Sequence, residues 1–365
     1  MINKVEVDLN ALAENLRVIK RQLDPETKII GVVKANAYGH GLLETARAVW
    51  TSGADIMAVA SIDEAVALRV GKIRSPILIL GYVEPAEFRR LIDFDITVTI
   101  SDLESAHKLS NEAKKLNKWA RVHVKIDTGM NRYGFVTFEA VENYMKIMAL
   151  EHIKIEGIYS HFADASDTAF SKEQIRQFQN VLFGFQQNRI PMPMVHMAAT
   201  EGIFRYPEAH FDAVRCGLGL YGYCDLQVGE SKLKPLMCLK TRIALIKRVP
   251  AGATVGYMRT YVAKKPTKIA VLAIGYSDGY PRALSNVGEA VVDDKRVKVV
   301  GRICMNATMI DITGVKAFIG DEVILIGASK SVNVYADEIA KWAQTNTHEI
   351  LSRVSSDLPR EYHFK

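Results

Sequence analysis

Eight short apolar runs, each followed by an amphipathic helical segment, occupy residues 28 to 217 and constrain the fold more than any other feature. The runs are KIIGVVKA, IMAVAS, ILILGY, ITVTIS, RVHVKID, IKIEGIYSHF, MVHMAA and AVRCGLG. Because their apolar residues are continuous rather than alternating, these strands are expected to be buried on both faces, as in a parallel sheet covered by helices. Strands that alternate with helices indicate repeated βα units.

Eight βα units predict a closed (β/α)8 barrel of the TIM type, with an open doubly wound sheet as the alternative. After about residue 225 the chain changes to strand-like segments separated by Gly, Pro and Asp turns, with one clear helix in YADEIAKWAQ. We therefore predict an α/β barrel over residues 1–230 and a mostly β domain over residues 231–365. The first strand, over about residues 1–9, is counted with the barrel, and membership of the β domain is its alternative.

Two strand ends carry a signal for the start of a helix. Ser61 and Ser101 are each followed three residues later by a glutamate, Glu64 and Glu104. This spacing is the pattern of a capping box.

Composition excludes several classes of protein. Hydrophobic residues make up 48% of the 365 residues and charged residues 24%, as in an ordinary globular protein. The net charge of +6, from 47 basic and 41 acidic residues, is scattered and forms no basic stripe, so no nucleic-acid partner is predicted. No apolar stretch reaches the roughly 18 residues of a membrane span, and MINKVEVDLN lacks the apolar part of a signal peptide. We expect no membrane partner and a cytoplasmic location.

The four cysteines, Cys216, Cys224, Cys238 and Cys304, show no paired metal-ligand spacing. In a reducing compartment they are expected to be free thiols. No metal site is predicted.

Lys34 ends the first barrel strand, inside the small and apolar run GVVKANAYGH. The carboxyl ends of barrel strands form the reactive face of this fold. An amine among apolar neighbours has a lowered pKa and becomes a nucleophile able to form an imine. The alternative is a lysine whose ammonium reaches the surface.

Other strand ends place further polar groups on the same face. Strand five ends in KIDTGMNRYGF, with Lys125, Asp127 and Arg132, which indicates either a binding site or an ion-pair network. Strand six ends in YSHFADASD and contributes His161, whose alternative role is structural.

Strands seven and eight end in Thr200 and in RCGLGLYG, which contains Arg215, Gly217 and Gly219. A hydroxyl and glycine amides after these two strands form the common phosphate site of barrels, although the glycines alone are compatible with a simple turn. A lysine for an imine, a phosphate site and a buried arginine together indicate pyridoxal 5'-phosphate. Arg215 would face the pyridine nitrogen and, being unable to give up its proton, would weaken the cofactor as an electron sink.

Six ordered motifs identify a family. VVKANAYGHG, KIDTGMNRYGF, SHFADASD, VGYMRTY, AIGYSDGYPR and VGRICMNATMID together resemble the alanine racemases, from near residue 4 to the C-terminus. The resemblance implies a barrel that binds pyridoxal phosphate and a β domain. It also implies a head-to-tail homodimer whose active sites are shared between subunits. The implied reaction interconverts L- and D-alanine by a two-base mechanism on a pyridoxal-phosphate aldimine, and so supplies D-alanine as a peptidoglycan precursor.

The resemblance also implies a role for each matching position around the cofactor. Lys34 would bind the cofactor covalently and act as one base, and Arg215 would contact the pyridine nitrogen. Arg132 would hydrogen-bond the phenolic oxygen and take part in substrate binding, positioned by Lys125, which is carbamylated in many relatives. The phosphate would be held by Tyr38, Thr200 and the backbone amides of Gly217 and Leu218.

The remaining implied roles involve the β domain. Tyr257 of the other subunit would be the second base, and His161, within the cofactor site, would orient it. Met305 would bind the substrate carboxylate through its backbone, and Tyr276 would line the entrance.

Several positions depart from the family pattern. Thr200 stands where serine is usual and follows Ala199 in place of asparagine. Asn306 stands where aspartate is usual, and Ser356 and Asp357 replace a tyrosine or proline and then an arginine. Threonine keeps the hydroxyl for the phosphate, whereas the other changes bear on substrate range and turnover.

Three other functions remain open from the sequence. A pyridoxal-phosphate carrier has a similar barrel, but such proteins lack the second domain with Tyr257 and Met305. A fold-related decarboxylase would use a β-domain cysteine such as Cys304, against which GYMRTY argues. A racemase of serine or of a broader set of amino acids is the third alternative that the sequence leaves open.

Overall fold

The computed structural model describes residues 2–224 and 233–364, which form twenty β-strands, eleven α-helices and six short 3-10 helices. The strands are β1 Lys4–Asp8, β2 Lys28–Val32, β3 Ile56–Val59, β4 Ile77–Ile79, β5 Thr97–Ile100, β6 Ala120–Asp127, β7 Phe135–Val136, β8 Ile153–Tyr159, β9 Met194–Ala199, β10 Ala213–Cys216, β11 Met237–Val249, β12 Thr254–Val255, β13 Tyr261–Val262, β14 Thr267–Leu272, β15 Glu289–Val292, β16 Lys295–Lys298, β17 Thr308–Asp311, β18 Glu322–Ala328, β19 Asn333–Val334 and β20 Arg360–His363. The helices are α1 Leu9–Lys20, α2 Lys34–Tyr38, α3 Leu42–Thr51, α4 Ile62–Val70, α5 Phe88–Asp93, α6 Leu103–Lys115, α7 Ala140–Met148, α8 Thr168–Gln187, α9 Thr200–Arg205, α10 Ala336–Ala343 and α11 Thr347–Ser352.

The eight predicted apolar runs contain the strands of a closed parallel barrel. β2, β3, β4, β5, β6, β8, β9 and β10 pair in that order, and β10 pairs with β2 to close the barrel. A strand such as β4 is buried throughout, because one face meets the barrel interior and the other meets helices. The predicted fold class is therefore confirmed, and the β2–β10 pairing excludes an open sheet.

The two predicted helix starts differ in detail. The Ser61 hydroxyl caps α4 by accepting the N–H of Glu64 at 3.3 Å, as the pattern predicts. The Glu64 carboxylate, however, accepts the N–H of Ala60 at 3.0 Å and so leaves the box incomplete. At α6 the cap is Asp102 and not Ser101, since the Asp102 carboxylate accepts a first-turn N–H at 2.7 Å. Aspartate is as good a cap as serine, so the helix starts one residue later than the serine predicts.

The C-terminal sheet is built around the long strand β11, which pairs with β1, β14 and β18. The first strand, β1, lies in this sheet, antiparallel to β11 and parallel to β20. Its Val5 and Val7 are fully buried and alternate with polar residues, as expected of a strand with one face on the core. The predicted domain boundary at residues 230 and 231 lies outside the described residues.

One continuous hydrophobic core joins the barrel to the C-terminal sheet. Leu12 and Leu16 of α1 belong to the same buried cluster as Leu239 of β11 and Ile326 of β18. The C-terminal segment then returns to the barrel mouth, where Arg360 of β20 contacts the loop after β2. No helix in the described part of the chain is both long enough and apolar enough to cross a membrane.

Candidate active site

The carboxyl ends of the barrel strands surround a cavity of about 570 Å³. Side chains that follow five different strands, β2, β6, β8, β9 and β10, meet there because the βα loops converge on this face. Nine residues that the sequence predicts line the cavity: Lys34, Tyr38, Lys125, Arg132, His161, Thr200, Arg215, Gly217 and Leu218.

Lys34 opens an unusual turn. The next four residues, Ala35, Asn36, Ala37 and Tyr38, have φ angles of 54°, 54°, 52° and 52°, and the first three have ψ angles of 54°, 45° and 52°. These are left-handed helical values, so α2 is a left-handed turn. Each non-glycine residue in this conformation costs roughly 1–2 kcal/mol, so the surrounding structure must stabilise the turn.

The amine of Lys34 lies in an environment that favours its neutral form. Burial lowers its pKa, and the guanidinium groups of Arg132 and Arg215 lower it further. The Glu64 carboxylate acts in the opposite direction. A lowered pKa raises the fraction of neutral amine, which is the nucleophilic form.

Hydroxyl groups and close-packed glycines form a cradle at one end of the cavity. The Thr200 hydroxyl oxygen accepts the N–H of Gly219 at 3.0 Å. A Cβ atom on Gly217 would lie 2.8 Å from the Tyr38 hydroxyl, and one on Gly219 would lie 2.8 Å from the Thr200 methyl. Burial raises the pKa of Tyr38 to about 12, so its phenol is a neutral hydrogen-bond donor. Such a set of donors suits a phosphate group.

Tyr38 is held by a stack of aromatic rings. Its ring lies 4.6 Å from that of Tyr221, and the Tyr221 ring lies 4.6 Å from that of His40. The ring of His348, from α11, lies 5.6 Å from Tyr38 and also lines the cavity. The C-terminal segment therefore contributes directly to the cradle.

Arg215 is buried at the other end of the cavity and makes four polar contacts. Its Nη1 lies 2.6 Å from Nδ1 of His196. Its Nη2 donates to the carbonyls of Ser160 and Met197, each at 2.7 Å, and lies 3.1 Å from Nδ1 of His161. Burial lowers the pKa of Arg215 to about 10, so it stays cationic at neutral pH.

These contacts fix the hydrogens on three histidines. A guanidinium group only donates, so Nδ1 of His196 must accept from Nη1 of Arg215. The two hydrogens of Nη2 are shared among two carbonyls and Nδ1 of His161, and a hydrogen on that Nδ1 would face a donor, so Nδ1 of His161 is the unprotonated nitrogen of its ring. The neutral His196 then carries its hydrogen on Nε2 and donates it to Nδ1 of His123 at 2.9 Å. Burial, with the charge of Arg215, lowers the pKa of His123 to about 3 and lowers the pKa of the other two well below 6.5. All three rings are neutral at neutral pH.

Lys125 is only 4% exposed and lies over the ring of Tyr159, with Nζ 4.9 Å from the ring centre. Burial and the charge of Arg215 lower its pKa to about 7, against the attraction of Asp127. A large fraction of this amine is therefore neutral at physiological pH. Arg132, on the loop after β6, lines the cavity beside it.

Three predicted residues lie elsewhere. Tyr257, Tyr276 and Met305 belong to the C-terminal domain and are 70%, 41% and 54% exposed. Within the described ranges, none of them lines the Lys34 cavity. Tyr276 and Met305 are neighbours, because the Met305 carbonyl accepts the N–H of Ser277 at 3.1 Å.

Sequence reasoning missed several residues of the site. Tyr159 stacks on His196 at 4.7 Å and holds its hydroxyl 2.9 Å from Thr99. His123 stands two positions before Lys125 in β6, so the two share the face that points into the barrel. That spacing is the one signal that could have found it. His348 and Cys224, which also line the cavity, carry no such pattern.

Comparison with known proteins agrees with the resemblance. Residues 7–225 match the family described as "Alanine racemase, N-terminal domain", and residues 236–362 match the family described as "Alanine racemase, C-terminal domain". Alanine racemase 2 of Caldanaerobacter subterraneus subsp. tengcongensis is 41% identical over 368 residues, which cover 99% of this chain and 95% of that protein. The chain belongs to the alanine racemase family.

Solved structures of the alanine racemase family share the whole fold. The alanine racemase of Clostridium difficile 630 superposes with a TM-score of 0.93 at 34% identity, over 100% of this chain and 96% of that chain. The alanine racemase from Bartonella henselae with covalently bound pyridoxal phosphate gives a TM-score of 0.87 at 28% identity, over 100% of both chains. Both match the barrel and the β domain together.

The departures from the alanine racemase pattern lie at identifiable places. Thr200 keeps its hydroxyl in the cradle. Asn306 donates from its side-chain amide to the Ser277 hydroxyl at 2.8 Å, which places it beside Tyr276. The exposed Ser356 lines a second cavity, of about 530 Å³, together with Tyr276. The departures at Asn306 and Ser356 therefore lie around Tyr276 rather than in the cradle.

Proposed function

We propose that this chain is an isomerase that interconverts L-alanine and D-alanine with pyridoxal 5'-phosphate as cofactor. The observation that carries the proposal is that three features line one cavity. They are Lys34, whose pKa is lowered, the cradle of hydroxyl groups and glycines, and the buried Arg215. Family membership over nearly the full chain supports the same reaction.

The residues present fit the cofactor. Tyr38 and Thr200, with the backbone at Gly217, would hold its phosphate, because a Cβ at Gly217 would fill the space beside the Tyr38 hydroxyl. Lys34 would form the covalent link, and Arg215 would contact the pyridine nitrogen. When bound, pyridoxal phosphate withdraws electrons from Cα of the amino acid and makes its hydrogen acidic.

Arg215 sets the charge at its end of the cavity. Two histidines accept hydrogen bonds from it, two carbonyls accept others, and no described carboxylate contacts it. It therefore remains a donor and does not deliver a proton. A donor at this position favours brief deprotonation at Cα over chemistry that needs a long-lived carbanion.

Racemisation needs one group to remove a proton from one face of Cα and another to return a proton to the other face. Lys34 would serve one face, and we propose Tyr257 of a second copy of this chain for the other. A phenol, with an ordinary pKa of about 10, is a weak base at neutral pH. Because Nδ1 of His161 accepts from Arg215, its Nε2 carries a hydrogen that can be donated to the tyrosine oxygen and stabilise its anion.

We propose that Lys125 is carbamylated and that it positions Arg132. Carbon dioxide reacts with a neutral amine, and burial lowers the pKa of Lys125 to about 7. The amine would add to the carbon of carbon dioxide and release a proton, which leaves an anionic carbamate beside Arg132. Arg132 would then bind the phenolic oxygen and the substrate with a fixed orientation.

The test is a panel of L-amino acids incubated with the protein and pyridoxal phosphate, and resolved on a chiral column. We expect D-alanine from L-alanine, and at least ~100-fold less from Lys34→Ala, which lacks a base. Lys28→Ala is the matched control, because this exposed lysine begins the same strand at its opposite end.

Each other outcome selects a different function. Cofactor binding without any D-amino acid would identify a carrier protein. Loss of carbon dioxide from the substrate would identify a decarboxylase, and faster turnover of serine or of many amino acids would identify a broader racemase.

A further inference from the structure

A backbone donor of the left-handed turn after Lys34 is satisfied by a side chain from outside the turn. The N–H of Ala37 bonds to the Val33 carbonyl at 2.9 Å, and the N–H of Gly39 bonds to the Ala35 carbonyl at 3.0 Å. The N–H of Asn36 lies at the start of the turn, where no carbonyl of the turn can reach it. It donates instead to a carboxylate oxygen of Glu64 at 3.2 Å.

The second oxygen of Glu64 accepts the N–H of Ala60 at 3.0 Å. Asn36 follows β2 and Ala60 follows β3, so one carboxylate connects the ends of two neighbouring barrel strands. Glu64 is itself fixed, because it lies in the first turn of α4 and its own N–H donates to Ser61. The support for the turn therefore comes from a rigid helix start.

Other contacts stabilise the far end of the turn. The Arg360 guanidinium donates twice to the Gly39 carbonyl, at 3.0 and 2.8 Å. The Asn36 side-chain oxygen accepts the N–H of Leu42 at 2.8 Å. Arg360 acts after the left-handed residues, and the Asn36 side chain connects the turn to the start of α3, whereas Glu64 binds the backbone where the turn begins, beside Lys34.

We propose that Glu64 is a positioning residue that holds the left-handed turn in the conformation in which Lys34 and Tyr38 bind the cofactor. The proposal rests on the proposed function, since it assigns to those two side chains the covalent link and the phosphate contact. Glu64 would not touch the cofactor; it acts through the Asn36 amide. Its carboxylate offsets part of the strain of four left-handed residues.

The first test follows the Asn36 and Ala60 amides by hydrogen exchange in the full-length protein without added cofactor. In Glu64→Gln only one oxygen remains, so the side chain can accept the N–H of Asn36 or that of Ala60 but not both, and the bond that remains is no longer charge-assisted. Exchange should become about tenfold faster at whichever of these two amides is released. Asp63→Asn is the matched control, since Asp63 is the preceding residue, is 79% exposed and pairs only with Arg90 among the described residues. Exchange equal to wild type at both the Asn36 and the Ala60 amide in Glu64→Gln would overturn the proposal.

The second test measures the dissociation constant of pyridoxal phosphate from its absorbance. We expect a rise of about tenfold in Glu64→Gln and no change in Asp63→Asn. Adding Ala35→Gly to Glu64→Gln should recover at least about threefold, because glycine adopts positive φ without the steric cost. A purely structural defect in α4 would not be rescued at Ala35, so absence of recovery would overturn the proposal.

The two hypotheses fail separately. If wild type bound no pyridoxal phosphate, the proposed function would fail, while the exchange of the Asn36 amide would still report on Glu64. If Glu64→Gln did not fold, Glu64→Asp would replace it, since the shorter carboxylate keeps its charge but cannot reach both amides. Unchanged exchange and unchanged affinity in that variant would also overturn the proposal.

Discussion

Each buried histidine near Arg215 has one protonation state that suits its partners. His196 must accept at Nδ1 and donate at Nε2, and His123 must accept at Nδ1. A second proton on either ring would place two donors against each other in a buried space. The folded protein therefore excludes protons that the unfolded chain accepts.

This exclusion makes folding stability depend on pH. Burial lowers the pKa of His123 from 6.5 to about 3, so between these values the unfolded state binds more protons than the folded state. The stabilisation is fully present above pH 6.5 and is lost as the pH falls through this window. We expect the free energy of unfolding to decrease steadily in urea titrations repeated at falling pH.

His123→Asn tests the contribution of this ring. The asparagine oxygen can accept from His196 as Nδ1 does, but it takes up no proton. The slope of unfolding free energy against pH should fall by about 1 kcal/mol per pH unit in the window. His107→Asn, on the exposed face of α6, is the control and should leave the slope unchanged. Identical slopes for His123→Asn and wild type would contradict the assignment of a neutral buried ring.

Sequence alone pointed to the charged residues that line the Lys34 cavity but not to the aromatic rings packed among them. Lys34 and Arg215 were predictable because each is a cation at the end of an apolar strand, and a parallel barrel brings all strand ends to one face. Tyr159 and His196 meet only because the β8–β9 register sets them side by side. A sequence states neither that register nor the direction of each side chain, so this pair was missed.

The barrel strands were predicted well and the turn after β2 was not. KANAY contains ordinary helix formers, and nothing local favours positive φ for alanine. The left-handed form depends on Glu64 of α4 and on Arg360 of β20, which lie far away in sequence. The error at the start of α6 has a local cause, because the adjacent Ser101 and Asp102 are both good caps and the sequence does not state which of them the helix uses.

The loop after β10 offers a test of the cradle. A Cβ at Gly217 would lie 2.8 Å from the Tyr38 hydroxyl, so Gly217→Ala should displace that phenol from the phosphate position. We expect the dissociation constant of pyridoxal phosphate to rise about tenfold, the usual effect of losing one hydrogen bond to a charged group.

Gly184→Ala is the control for this substitution. Its new methyl would meet a side-chain atom of Val141 at the same 2.8 Å, but on α8, outside the cavity. Both variants carry a similar local contact, so a general packing defect would weaken both equally. If Gly184→Ala lost affinity for pyridoxal phosphate as well as Gly217→Ala, the result would contradict a specific role of Gly217 and Tyr38 in binding the phosphate.

In the part of the chain that the structure describes, Tyr257, which we propose as the second base, does not line the cavity that contains Lys34. The Lys34 cavity lies in the barrel, while Tyr257 and Met258 are 70% and 77% exposed on the C-terminal domain. Large side chains exposed beside one another mark an interaction surface. A two-fold dimer that applies this surface to the partner's barrel would complete two equivalent sites, since a closed dimer repeats each contact twice.

Mixed dimers would establish whether the two bases come from different subunits. Lys34→Ala and Tyr257→Phe homodimers should each be nearly inactive, because every site lacks one base. When the two variants are unfolded and refolded together, a mixed dimer gathers both defects in one site and leaves the other intact. With random pairing about half the dimers are mixed, so about a quarter of all sites should regain racemase activity.

Recovery near that level requires Lys34 and Tyr257 to act across the interface. If mass spectrometry showed mixed dimers and activity stayed absent, either both groups would serve one site within a chain or Tyr257 would not be the second base.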